Sequence, residues 1–227
     1  MMWWIWKGGG GSNCSLFRGR PLLMGRGRFL CLNLLILALL VLASSEPPVP
    51  DDCQSRPFED GLALDCSLSA INSAAEKTNF SVLPAIHTRS LTVKCRDATL
   101  SQLEADGLRS LNQLRSLTLD GCHLRSIPAR AFWGLSNLVS LTVVTRNAGV
   151  LVIEAGAFAG LDDLEVLDLS GNYIRHLASG ALCSLTKLKR LNLSKNEMAS
   201  MDDLGLDPCP QIRSMRSLDL SSNAINK

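Results

Sequence analysis

Five stretches of the chain repeat one text: LRSLTLDGCHL from Leu114, LVSLTVVTRNAGVL from Leu138, LEVLDLSGNYI from Leu164, LKRLNLSKNEM from Leu188 and MRSLDLSSNAI from Met215. Their starts lie 24, 26, 24 and 27 residues apart, and a degenerate copy, TRSLTVKCRDATL from Thr88, precedes the first by 26. A text recurring at this period excludes a single central core. Each copy carries one strand's worth of apolar side chains and can bury them only against its neighbours. Alternate residues of a strand point the same way, so Leu117 with Leu119, Leu167 with Leu169, Leu191 with Leu193 and Leu218 with Leu220 face inward. The recurrence of this slot, together with an apolar run near the N-terminus, accounts for the 42 leucines among 227 residues.

The shared text is L-x-x-L-x-L-x-x-N/C-x-L, the pattern of leucine-rich repeats. Where each strand ends, the turning backbone needs partners inside the stack, and an inward Asn amide both donates and accepts. Asn172, Asn196 and Asn223 occupy that slot as a structural ladder, and Cys122 takes it in the first clear copy. The copy from Leu138 places Arg146 there, with Asn147 one residue late, so a bulge is expected between Thr145 and Val150. The other half of each copy (IPARAFWGLSN, IEAGAFAGLDD, LASGALCSLTK) spaces its apolar residues three apart, as one helical turn over the convex side requires. The glycines between Gly149 and Gly160 follow this repeat and do not form a phosphate loop. The expected class is α/β: a right-handed leucine-rich-repeat solenoid with a parallel sheet on its concave face, short helical or irregular convex segments and an N-terminal disulfide cap.

The apolar run Phe29 to Ala43 follows the basic stretch RGRPLLMGRGR and precedes Ser44 and Ser45. It is shorter than the ~20 residues of a spanning helix and has the layout of a cleaved secretory signal. Its removal changes the charge. The formal +2 of the chain divides into +5 from Lys7, Arg18, Arg20, Arg26 and Arg28, and −3 from the remainder, where 18 bases meet 21 acids. A nucleic-acid partner is disfavoured by that negative remainder. Six cysteines follow the leader: Cys53, Cys66, Cys95, Cys122, Cys183 and Cys209. Behind a signal they indicate disulfides rather than zinc, since no C-x-x-C occurs, although sequence alone leaves the connectivity open. Position favours Cys53 and Cys66 as the staple of a cap over the first open sheet edge, Cys95 beside Cys122 on successive strands, and Cys183 with Cys209 pinning the loop that contains Pro208 and Pro210. Asn79-Phe80-Ser81 and Asn192-Leu193-Ser194 are acceptors for N-glycans. The expected organisation is a signal with a long basic n-region over 1–45, a linker and Cys-containing cap over 46–87, and about six repeats over 88–227. The last repeat stops in LDLSSNAINK, as a partial coding sequence would.

The string GLDDLEVLDLSGNYIRHLASGALCSLTKLKRLNLSKNEM, with the Cys53/Cys66 cap, the Asn79 sequon and the HTRSLTVKC strand before it, resembles the N-terminal part of an insect Toll-family receptor ectodomain, of the eighteen-wheeler-like branch. The resemblance covers roughly residues 51–227. It implies a type I membrane receptor with a spanning helix and a cytoplasmic TIR domain. It also implies an extracellular protein ligand of the Spätzle-like cystine-knot kind, receptor dimerisation, and signalling in innate immunity or development. A self-contained secreted leucine-rich-repeat matrix or decoy protein is the alternative.

On such a scaffold, binding residues occupy the variable positions. The sequence places Arg115, Thr118 and Asp120 on the concave face, then Val139, Thr142 and Val144, then Glu165 and Asp168, then Lys189, Arg190 and Asn192, then Arg216 and Asp219. Acidic and basic rungs alternate along this ligand face, and a glycan on Asn192 would project from it. No H-E-x-x-H, G-x-S-x-G or Walker sequence occurs, and His87, His123 and His176 fall in different copies, so neither an enzyme nor a cofactor is expected.

Overall fold

The computed structural model describes residues 49–145, 149–206, 209 and 215–225. The leader and the Arg146/Asn147 slot lie outside the described residues. The chain forms β1 (Cys53–Phe58), β2 (Gly61–Leu68), β3 (Thr88–Cys95), β4 (Leu100–Ser101), β5 (Ser116–Asp120), β6 (His123–Leu124), β7 (Ser126–Ile127), β8 (Ser140–Val144), β9 (Val152–Ile153), β10 (Val166–Asp168), β11 (Arg190–Asn192) and β12 (Ser217–Asp219). One sheet carries the architecture, in the order β1-β2-β3-β5-β8-β10-β11-β12. Every pairing in it is parallel except that of β1 with β2.

Leucine locks the register. Leu91, Leu117, Leu141, Leu167, Leu191 and Leu218 stand opposite one another across six strands, and the first five are at most 2% exposed. A slip of one residue would send this whole column to solvent and bring Ser and Thr inward. Leu114, Leu138, Leu164 and Leu188 close the core behind the sheet, and Phe132 and Phe158 stack at a centroid distance of 6.2 Å.

On the convex side the expected short helical or irregular segments take the irregular form. Ala131, Trp133 and Leu135 donate to the carbonyls of Pro128, Arg130 and Phe132, three residues back, and Ala157, Ala159 and Leu161 repeat the pattern. These are successive tight turns rather than an α-helical turn. A left-handed residue at one repeated position breaks helical continuity: Asp106 (φ 61°), Arg130 (φ 61°), Gly156 (φ 75°) and Gly180 (φ 75°). Glycine adopts this conformation without a Cβ penalty, whereas Asp106 and Arg130 each carry one. Two short ladders that the repeat text does not announce, β4 with β6 and β7 with β9, run along the flank.

The N-terminal edge is an antiparallel hairpin. Cys53 pairs with Cys66 across β1 and β2, and a disulfide joins them at a Cα separation of 4.0 Å. Pro57 lies within β1, where it withholds a donor from the outermost strand and so blunts the edge. Gly61 opens β2 because a Cβ there would meet the His87 carbonyl oxygen at 2.3 Å. The remaining disulfides connect successive coils: Cys95 to Cys122 and Cys183 to Cys209, each with a Cα separation of 4.8 Å.

Phe158→Ala should lower the unfolding free energy by ~3–5 kcal/mol, as a buried aromatic truncation does. Replacing Cys183 and Cys209 together by Ser should cost ~2–4 kcal/mol, the usual worth of a disulfide. Denaturant unfolding measures both, and a Phe158 variant within about 1 kcal/mol of the parent would contradict the stacked core.

Candidate functional site

The asparagine ladder ties successive coils together at the strand ends. Asn172 donates to Val143 O (2.7 Å) and accepts from the N–H (2.7 Å) and hydroxyl (2.9 Å) of Thr145. Asn196 donates to the carbonyls of Leu169, Leu193 and Ser194 and accepts from the N–H groups of Asn172 and Ile174. Asn223 donates to Leu193 O and Leu220 O and accepts from Met198 N–H. Cys122 stands in the same slot and is held by its disulfide to Cys95 instead.

Outward-pointing strand residues form two columns across six strands, beside a shorter one of Lys94, Asp120 and Val144 on β3, β5 and β8. One runs Ser90, Ser116, Ser140, Val166, Arg190, Ser217, and the other Thr92, Thr118, Thr142, Asp168, Asn192, Asp219. Asp120 ends β5 on this face, opposite Val144 of β8. The outward serines at the start of β5, β8 and β12 went unremarked in the sequence reading, although the alternation that places Leu117 inward also places Ser116 outward.

Arg115, Val139, Glu165, Lys189 and Arg216 flank these columns at the strand starts. Each immediately precedes its strand, in a row along the strand starts where its backbone N–H or carbonyl bonds a neighbouring coil. The charges of this row are partly consumed within the molecule. Arg115 pairs with Glu59 at 2.7 Å and lies 4.0 Å from Asp60, Arg89 pairs with Asp60 at 3.1 Å, and Lys189 pairs with Glu165. Arg190 and Arg216 have no ion pair among the described residues. Exposed pairs of this kind contribute roughly 0–1 kcal/mol each. Their arrangement at repeat spacing therefore biases stacking register more than it adds stability.

Three outward residues at the strand ends serve the fold locally. Asp168, Asn192 and Asp219 each accept, through Oδ1, the backbone N–H two residues on, from Ser170, Ser194 and Ser221 respectively. These are Asx turns that carry the chain out of each strand. The Asn192 amide also donates to Asp168 Oδ2 at 3.1 Å, so the acceptor nitrogen of that sequon lies in the middle of the charged part of the face. Asn79 is exposed and caps the 3-10 turn Phe80–Val82 by accepting from Ser81 N–H.

Several carboxyls are held below their ordinary pKa. The backbone N–H and hydroxyl of Ser221 lower Asp219. The N–H groups of Ser200 and Ala199, aided by Ser200's hydroxyl and the charge of His176, lower Asp203. The Arg89 hydrogen bond, with help from Arg115, lowers Asp60. Each binds its proton more weakly folded than unfolded, so its contribution is complete above the ordinary value of 3.8 and is lost as pH falls through and below it. Stability should therefore decline on acidification through that range, and Asp203→Asn should flatten the decline in acid-unfolding curves; an unchanged acid limb would refute the assignment. Asn196→Ala should cost ~2–4 kcal/mol in denaturant unfolding, because it strands buried N–H groups of two residues.

Residues 142–198, which span β10, β11 and the Asn172–Asn196 pair, match the leucine rich repeat family model. With the parallel sheet, the inward leucine column and the asparagine ladder in place, the described fold is a leucine-rich-repeat solenoid, a scaffold whose usual work is to bind other proteins.

Proposed function

We propose that the chain is the extracellular, protein-binding leucine-rich-repeat region of a Toll-like transmembrane receptor, acting in innate immune or developmental signalling. Its partner on this reading is a Spätzle-like cystine-knot protein. The observation that carries the reading is the pairing of all six cysteines beyond residue 45 into three disulfides, since such bonds persist in oxidising, extracytoplasmic compartments. The hairpin cap closed by Cys53–Cys66, followed by the strings from Gly160 onward that resemble Toll ectodomains, supports the more specific assignment. Along β10, β11 and β12 the outward positions change from coil to coil (Val166, Arg190 and Ser217; Asp168, Asn192 and Asp219) while the leucine does not, which is how a repeat scaffold carries recognition.

Expression in secretory cells with the natural leader should deliver disulfide-bonded protein to the medium. Asn79→Gln should remove one enzymatically releasable glycan, and Asn192→Gln another, in a mass measurement. Retention inside the cell with reduced cysteines would defeat the extracellular assignment. Surface plasmon resonance against a Spätzle-type cystine-knot dimer should show saturable binding, and its absence would defeat the ligand assignment.

A further inference from the structure

An open cleft of about 390 Å³ lies beside the cap, walled by the Cys53–Cys66 disulfide and by the chain from Thr78 to Leu83. Asn79, the acceptor of the first sequon, borders it. Its carboxamide is engaged through one atom only. Oδ1 accepts from the Ser81 N–H at 3.0 Å and from the Ser81 hydroxyl at 2.6 Å, while Nδ2 has no hydrogen-bond partner among the described residues. At Asn192 the corresponding nitrogen already donates to Asp168. The ionisable groups lining the cleft balance, Asp52 and Glu76 against Lys77 and Arg96, with Arg96 3.8 Å from Asp52 and Lys77 paired to Glu104 at 2.8 Å. The apolar lining is left open. Val82 is 56% exposed, and Pro50 and Leu68 are only half-buried. A second cleft that Asn79 borders differs on this point: its apolar residues Phe80, Leu103, Leu108 and Ala131 are all buried, so an occupant there would cover little further apolar surface.

Resting on the extracellular reading above, we infer that the cleft beside the cap is a carbohydrate site, and that its occupant is the protein's own N-glycan at Asn79. A pyranose ring carries a face of C–H groups and a rim of hydroxyls, and the sugar next to the asparagine adds an acetamido group. That chemistry matches a cleft whose apolar carbons remain open and whose charged side chains keep free donors and acceptors beyond their pairs. The balanced charge of the lining suits a neutral occupant. The cleft's size falls within the ~300–1,000 Å³ of ordinary ligand pockets. One sugar would bind such a groove weakly, but attachment at its border makes the encounter intramolecular, at an effective concentration of ~mM. Covering Val82, Leu68 and Pro50 removes apolar surface from water. The glycan thus completes the cap, closing the apolar lining that the polypeptide leaves open and tying the 78–83 segment to the disulfide-linked hairpin.

The full chain, secreted with its glycans, provides the test. Release of the Asn79 glycan by a peptide amidase is timed on the native parent and on native Val82→Glu, which keeps the Asn79-Phe80-Ser81 sequon and places a charge in the apolar lining. Both are timed again after denaturation, and circular dichroism checks that the variant is folded. NMR on protein carrying isotope-labelled sugars adds a readout that needs no substitution. Release from the native parent should be at least about threefold slower than from native Val82→Glu, because a docked glycan is withheld from the enzyme, and the rates should be equal after denaturation. The N-acetyl methyl groups of the Asn79 sugars should show nuclear Overhauser contacts to the methyls of Val82 and Leu68. A smaller difference between the native rates, or sugars without those contacts, would overturn the inference. Secreted, disulfide-bonded chain with no glycan at Asn79 would overturn it as well, while leaving the extracellular reading intact. Retention in the cell with reduced cysteines would remove both.

Discussion

The structure depends on lateral registry between coils. Each repeat is too small to enclose its own apolar face, so Leu117 is buried only because Leu91 and Leu141 stand on either side of it in parallel pairing. The backbone ladder holds this column from the sheet side, and Asn172, Asn196 and Asn223 hold it where the strands end, each bridging its own coil to the preceding one. Buried amides of this kind are costly when unpaired and directional when paired. They therefore fix the stagger that leucine burial alone would tolerate loosely. Where Cys122 replaces the asparagine, a disulfide to Cys95 performs the same bridging between coils.

That dependence organises the surface. Parallel stacking brings equivalent positions of successive coils into columns, so a residue's meaning comes from its row as much as from its own chemistry. Charges along the strand starts are drawn into pairs such as Glu165 with Lys189, and convex positions into others such as Asp106 with Arg130 and Asp163 with Lys187. Acids at the strand ends become turn-formers. What remains open on the concave side is less charged than the composition of the repeats implies, and the hydroxyls of three strands are left without internal partners.

Much of the fold was legible because period and parity are carried by single residues. The spacing of the starts, the L-x-L alternation and the Asn/Cys slot each follow from local geometry, and the structure places Leu117, Leu141, Leu167 and Leu191 in one inward column. The face was less legible. Arg115, Glu165, Lys189 and Arg216 each stand one step before their strands, because the position where a chain enters a sheet depends on pairing with the neighbouring coil. Between the helical and the irregular convex segment the text leaves the choice open, because a three-residue apolar spacing suits a helical turn and a string of tight turns equally, and the left-handed residue at Arg130 and its equivalents decides between them.

By itself, then, the amino-acid sequence determined the repeat, its inward side chains and the cysteines available for pairing, since these follow from covalent order and the two-residue period of a strand. Only the tertiary structure decided which outward residues share a column, which charges cancel and which hydroxyls stay open. Those properties belong to pairs of residues some 24 to 27 positions apart, and nothing short of the stacked coils brings such pairs within reach of each other.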